Sequence, residues 1–226
     1  MAEIYLDKDE IKQLLKIARL SGDTVKFTTE DNKLFIWTMN EANTVAVIWE
    51  RPAKGEFNFA VDGKILATVL SRFVKHDAIT LDVGESILTI SDKNRTFKIN
   101  LNAEVGKLPK FDKVKHTAKI TVFNSDVLAD LFSDAGAISD IVEFTVKDGL
   151  LTVRAKGDTI EFLGEADVEM ADIEGKAKAK FQSNYLLDAL KLTEPSEIHL
   201  GKDQPMKIIG QPEIGTIEIW IAPTVE

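Results

Sequence analysis

Apolar and polar residues alternate along most of this 226-residue chain, and in four places the alternation gives way to an apolar spacing of three and four. The alternating stretches predict strands at 3–7, 24–29, 34–39, 44–50, 56–61, 78–83, 86–91 and 95–101, then at 118–123, 141–147, 150–155, 160–168, 176–182, 197–200, 205–209 and 214–221. The helical spacing predicts helices at 8–20, 64–74, 125–136 and 184–192. Short polar residues and glycine at Asp31-Asn32, Asp62-Gly63, Asp92-Lys93-Asn94 and Asp148-Gly149 read as turns between these strands.

The pattern occurs twice. The run DTVKFT beginning at Asp23 returns as DIVEFT at Asp140, and ITL at Ile79 returns as IHL at Ile198. Each half reads strand, helix, three strands, helix, further strands. The stretch from Asn102 to Thr117, with Gly106, Pro109 and several lysines, shows no sustained alternation and reads as a linker crossing the surface. The prediction is two similar α+β domains, 1–102 and 118–226, joined by a connecting loop at 103–117. Each helix has a single apolar stripe, Ile11, Leu14, Leu15 and Ala18 in the first, so each should lie on one face of a sheet with its other face in water.

The polar helix faces differ in sign. Lys8, Lys12, Lys16 and Arg19 follow one face of the first helix; Lys64, Thr68, Arg72 and Lys75 repeat that spacing on the second, opposite Ile65, Leu66, Val69, Leu70 and Phe73. Such stripes fit a solvated surface, and equally a surface that follows phosphates without reading bases. The third helix carries Asp126, Asp130 and Asp134. Asp126 suits the positive end of the helix dipole, whereas Asp134 opposes the other end and fits a contact with a basic neighbouring subunit. The fourth is mixed, with Asp188 and Lys191.

The charge, 28 basic against 37 acidic residues, argues against a nucleic-acid partner until it is divided. Through Lys113 the chain holds 17 of each sign; the remainder holds 11 basic and 20 acidic, so the whole excess is C-terminal. Cysteine is absent, which excludes disulfides, thiolate nucleophiles and zinc–thiolate sites. His76, His116 and His199 are scattered at no ligand or triad spacing, and no phosphate loop, nucleophile elbow or calcium loop is present. Nothing points to catalytic residues, a cofactor or a metal. No apolar run approaches a membrane span, and the charged start MAEIYLDKDE is unlike a signal peptide, so a cytoplasmic protein is expected. Lys176, Lys178 and Lys180 share one face of a strand, as in edges protected against pairing or reserved for a subunit contact.

The run QPMKI at Gln204 followed by IWIAP at Ile219 resembles the closing hairpin and tail of the DNA sliding clamps, the proliferating cell nuclear antigen (PCNA) family, in its archaeal type. Ser139-Asp140 before a strand, AKGD at Ala155, NYL at Asn184 and Leu108-Pro109 in the linker extend the likeness across most of the second half. In the first half the order of elements carries it. The resemblance implies duplicated β-α-β-β-β units in a pseudo-sixfold ring of three subunits, with helices lining a hole that encircles double-stranded DNA. It implies a processivity factor, not an enzyme, that tethers DNA polymerase, flap endonuclease and DNA ligase through short peptide motifs and is opened by a clamp loader. A nucleoid-associated protein of a prokaryote or archaeon would follow.

Carried over by position, the resemblance assigns the DNA-facing role to Lys8, Lys12, Lys16, Arg19, Lys64, Arg72, Lys75 and Lys191. It assigns the partner-peptide pocket to Met39, Asn43, Thr44, Val45, Leu108, Pro109, Phe111, Pro205, Met206, Trp220, Ile221, Ala222 and Pro223. The subunit interface would use Arg95 and Lys98 of one subunit against Lys176, Lys178 and Lys180 of the next, with Asp130 and Asp134 facing Arg72, Lys75 and Arg95. The like charges on the two strands leave a mixed ring open. The alternative function is a non-encircling or mixed-ring adaptor that regulates a polymerase or nuclease.

Overall fold

The computed structural model describes residues 2–21, 24–102, 105–166 and 171–224. The chain divides into two compact units, Met1–Pro109 with Pro212–Ile217, and Lys110–Gln211 with Glu218–Glu226. In the first unit β1 (Ala2–Asp7) leads into α1 (Lys8–Ser21), followed by β2 (Thr24–Glu30), β3 (Lys33–Met39), β4 (Val45–Pro52) and β5 (Asn58–Asp62). Then come α2 (Gly63–Leu70), β6 (Ala78–Val83), β7 (Ile87–Ser91) and β8 (Thr96–Asn100). The order is β-α-β-β-β twice over. The strand predicted at 56–61 is observed as β5 and leads directly into the second helix.

The second unit repeats the plan with β9 (Ala118–Val122), α3 (Ser125–Ile138), β10 (Ile141–Lys147), β11 (Leu150–Lys156) and β12 (Glu161–Ala166). After these come β13 (Ala171–Gly175), β14 (Ala177–Gln182), α4 (Ser183–Leu192), β15 (Pro195–Leu200), β16 (Met206–Gly210) and β17 (Thr216–Ile221). β13 is a strand that the alternation did not predict. Its only buried positions are Ala171 and Ile173, so its apolar signal is two residues long, and it exists because it pairs with β9. The predicted strand 160–168 is observed as β12; residues 167 and 168 lie outside the described residues, as do linker residues 103 and 104.

All described pairings are antiparallel. One sheet of the first unit runs β1-β6-β7-β8, and β5, β2, β3 and β4 lie side by side in another. In the second unit β12-β11-β10-β14 form one sheet, and β13, β9, β15, β16 and β17 follow one another in another. Asp31 and Asn32 both have positive φ, 49° and 61°, and so do Asp148 and Gly149, at 54° and 79°, which closes the β2–β3 and β10–β11 hairpins with two residues each.

Helix starts are written in short side chains. The Asp7 carboxylate accepts from the amides of Asp9 and Glu10, while Glu10 Oε2 accepts from the Asp7 amide at 3.0 Å, a reciprocal capping box. Asp62, expected in a turn, instead caps α2 by accepting from the Ile65 amide at 2.9 Å, and Asn124 caps α3 through the Asp126 amide at 3.1 Å. Helix α1 buries Ile11, Leu14, Leu15 and Ala18 as the spacing predicts, together with Ile17. In the first core Phe27 stacks on Phe59 with centroids 4.4 Å apart; in the second Phe144 meets Phe132 and Phe181 edge to face. Among the described residues no helix is long and apolar enough to cross a membrane.

Candidate functional site

On α1, Lys8, Lys16 and Arg19 are exposed and Lys12 is half-buried, all opposite the apolar stripe. Lys12 Nζ lies 2.6 Å from Asp9 Oδ1, one turn back, so part of its charge is already answered; the same contact holds the Asp9 carboxyl below the usual carboxylate range. Lys12, Gln13 and Lys16 border a groove of about 310 Å³ with Trp49 and the turn Pro212–Ile214.

The second cationic stripe is shorter than the spacing suggested. α2 stops at Leu70, and residues 71–75 continue as turns in which the amides of Arg72 and Phe73 reach back three residues, to the Val69 and Leu70 carbonyls. Phe73 is fully buried edge-on against Phe97, and that packing draws the chain out of the helical path. Lys64 therefore keeps its helical place, while Arg72 and Lys75 lie beyond the helix. Ile65, placed by spacing on the apolar face, is 50% exposed beside Lys64; Leu66, Val69 and Leu70 carry the burial.

Arg72 and Arg95 are instead drawn together. Arg95 Nη1 donates to the Arg72 carbonyl at 3.2 Å, and Asp92 accepts from the amides of Asn94 and Arg95. His76 Nδ1 stands 2.6 Å from the other Asp92 oxygen. The Asn94 amide first, then the Arg95 amide and the neighbouring cations, hold the Asp92 carboxyl below its ordinary value. This ties the β7–β8 turn, at the start of the sheet's edge strand, to the end of α2.

Both strands assigned to a subunit joint are sheet edges. β8 pairs only with β7, and β14 only with β10, among the described residues. Along β14, Ala177, Ala179 and Phe181 face the core; Lys178 is exposed, Lys180 is half-buried, and Lys176 stands just before the strand. Lys178 Nζ is 3.0 Å from Glu143 and Lys176 Nζ 3.4 Å from Asp148, so the cations along this edge are partly neutralised within their own subunit. Arg95 and Lys98 on the β8 side are exposed. Asp126, Asp130 and Asp134 are exposed along α3 and form no ion pair among the described residues, and Lys191 on α4 pairs with Asp188 at 2.8 Å.

The residues assigned to the peptide pocket separate into core and surface. Val45, Met206 and Ile221 are buried and belong to the core; Met39, Thr44, Leu108, Pro109, Pro205, Ala222 and Pro223 are half-buried, and Asn43 is exposed with a φ of 53°. Asn40 shapes that last turn, its side-chain oxygen accepting from the amides of Thr44 and Val45. In the second unit Phe111 stacks on Trp220 with centroids 4.1 Å apart and planes 9° off parallel. Trp220 Nε1 donates to Glu218, which also holds Lys207 at 2.6 Å, and the Lys207 ammonium stands 5.2 Å from the indole centroid. His116 lies 5.7 Å from the indole and 5.6 Å from His199, two histidines that the sequence left unconnected. His116 Nε2 bonds the Pro205 carbonyl at 2.9 Å; burial is the main cause that lowers its pKa. His199 pairs with Glu197, whose carboxyl is held down chiefly by Lys119 and then by His199.

The pair missed most completely by sequence reasoning is Glu10 and Arg51. Glu10 Oε1 is 2.7 Å from Arg51 Nη1, with the side chains only 4% and 12% exposed. Arg51 also donates to the Tyr5 carbonyl and lies over Trp49. Burial raises the Glu10 pKa and lowers that of Arg51, each against its partner's charge. No group of acidic residues and histidines among the described residues could hold a metal ion.

No protein-family model matches the chain. A "DNA polymerase sliding clamp 1" from Pyrobaculum aerophilum is 26% identical over 98% of this chain and 97% of its own length. A "DNA polymerase sliding clamp" from Pyrococcus abyssi is 28% identical over 99% of this chain and 98% of its own. Among solved structures, A. fulgidus PCNA bound to the C-terminal region of FEN-1 superposes with a TM-score of 0.88 at 20% identity, covering 100% of this chain and 99% of that one. PCNA from Thermococcus kodakaraensis gives 0.86 at 22% identity, covering 99% and 100%. Over nearly its whole length the chain is similar to archaeal DNA polymerase sliding clamps, and its fold is that of the solved PCNA structures.

Proposed function

We propose that this chain is a processivity factor: a sliding clamp of three subunits that encircles duplex DNA and tethers DNA polymerase, flap endonuclease and DNA ligase, doing no chemistry itself. The observation that carries this reading is likeness to archaeal clamps over 98–99% of the chain. The domains are 1–102 and 118–226, with 103–117 as the connecting loop. A clamp loader opens the ring, and the protein works in the cytoplasm on the nucleoid. Two of the described edge strands, β8 in the first unit and β14 in the second, support a head-to-tail joint that closes on itself. The neutralising contacts to Glu143 and Asp148 reduce the repulsion that a joint between identical subunits would otherwise suffer. Retention on DNA is then topological, and phosphate contacts can stay weak. The test is to load the protein on circular DNA and linearise it: a clamp stays on the circle and slides off open ends, whereas equal retention before and after cutting favours a non-encircling adaptor.

The lumen face in this reading is Lys8, Lys12, Lys16 and Arg19 of α1, with Lys64 and Lys191; Arg72 and Lys75 belong with the joint. Each phosphate contact contributes about 0.9 to the slope of log affinity against log salt. Lys16→Ala should therefore flatten that slope by about one unit. Lys12→Ala should flatten it less, because Asp9 already answers part of its charge. Equal slopes for both variants and wild type would return these lysines to a solvated-face role.

Partners dock by short peptide motifs on the surface that includes Pro205, Trp220, Ala222 and Pro223. Deleting Ala222 and Pro223 should abolish capture of a FEN-1 C-terminal peptide while the oligomer mass stays unchanged. Capture at wild-type strength by the deleted chain would move the docking surface elsewhere.

A further inference from the structure

The peptide surface proposed above is already occupied, by the chain's own linker. Trp220 is only 8% exposed, and one face of its indole is covered by the Phe111 ring in parallel contact. An incoming aromatic anchor cannot reach that face while Phe111 is in place. The indole itself is held: its N–H is bound to Glu218, and Lys207 and His116 stand within 6 Å of its ring.

Phe111 is tethered differently. Between residues 105 and 117 there is no strand or helix; the described backbone hydrogen bonds of this stretch are the local turn from the Val114 amide to the Phe111 carbonyl and two anchors at its far end, where the Thr117 amide donates to the Leu200 carbonyl and the Thr117 carbonyl accepts from the Lys176 amide. Lys110, Asp112 and Lys113 beside it are exposed and make no ion pair among the described residues. Segments with few backbone bonds and exposed flanks open at low free energy. The movable member of the stack is therefore Phe111.

We infer that Phe111 is an autoinhibitory latch, resting on Trp220 in the free protein and swinging away when a partner's aromatic anchor takes its place. This inference rests on the proposed peptide-docking function. Its consequence is that apparent affinity is reduced by the closed fraction, and partners are selected for aromatic anchors able to replace the Phe111 ring.

Stacked aromatic pairs are strong enough to bias such a latch by about two- to tenfold. The probe is a synthetic peptide of the A. fulgidus FEN-1 C-terminal region, titrated against the full-length protein. Phe111→Leu keeps an apolar side chain but loses the stack, Phe111→Ala removes both, and Phe111→Tyr keeps the stack. A latch predicts about two- to tenfold tighter binding for the Leu and Ala variants, wild-type affinity for Tyr, and a red-shifted tryptophan emission in the Leu and Ala variants before peptide is added. If Phe111 is instead a wall of the pocket, Ala weakens binding while Leu preserves it, and the latch is overturned with the docking surface intact. Absence of binding by wild type and all three variants overturns both.

Discussion

Replacing Arg51 with methionine should lower the unfolding free energy by about 3–5 kcal/mol, because the substitution leaves the Glu10 carboxylate in the interior with its cation removed. The cost comes from the orphaned charge more than from any worth of the pair itself. Glu10 is 4% exposed, and burial already raises its pKa even with Arg51 in contact. The double variant Glu10→Gln with Arg51→Met should recover most of the loss, since glutamine can still accept from the Asp7 amide that closes the α1 cap. The sign with pH follows. A carboxyl whose native pKa is raised above its ordinary 4.5 is best tolerated protonated, so the deficit of Arg51→Met should be largest near neutrality and shrink as pH falls toward 4.5. Urea unfolding of the four proteins of the cycle at pH 7 and 4.5 gives the answer. A single variant as stable as wild type at pH 7 would mean that water reaches Glu10 when the arginine leaves.

The second large effect is expected at Gly175, the last residue of β13. Its φ is 81°, and a Cβ there would collide with the Thr117 carbonyl oxygen. That carbonyl accepts from the Lys176 amide, while the Thr117 hydroxyl donates to the Lys176 carbonyl and the Thr117 amide donates to Leu200. Gly175→Ala thus combines a left-handed alanine, about 1–2 kcal/mol, with weakened hydrogen bonds of about 1 kcal/mol each, for a total of about 3 kcal/mol. Gly149 is the control. It has nearly the same φ, 79°, with no atom near the missing methyl, so Gly149→Ala should cost only the backbone part. Unfolding midpoints that move equally for the two variants would show that Thr117 yields without cost. Because Lys176 and β14 begin directly after Gly175, its substitution should also raise the concentration needed for oligomer formation.

Much of the fold was legible because two signals agree: period-two alternation marks nearly every strand, and the DTVKFT and DIVEFT runs mark the duplication. β13 escaped because a strand with two buried positions has no period to read. α2 was overextended because the spacing of Arg72 and Lys75 continues a helical pattern that Phe73 overrides by packing against Phe97. The site was legible where side chains work from one element, as with the cations of α1 and the aspartates of α3. It was not legible where residues distant in the chain meet. Glu10 and Arg51 lie 41 positions apart, and Phe111 and Trp220 lie 109 apart, and neither pair has any local signature. The terminal run containing Trp220, Ile221, Ala222 and Pro223 announced itself as a unit, yet only the fold divides it into a buried tryptophan and isoleucine and the half-buried alanine and proline that follow.

Three of the four helices follow their strands without a single intervening residue: Asp7 to Lys8, Asp62 to Gly63, and Gln182 to Ser183. A joint of zero length has no slack. Each of these helices is a stiff spoke whose azimuth is dictated by its strand, so a cationic helix face such as that of α1 cannot rotate to grip a phosphate more tightly or to follow one groove. A surface that cannot adapt to what passes under it offers nearly the same contact at every base pair. In the proposed clamp, that uniformity is low friction built into the backbone.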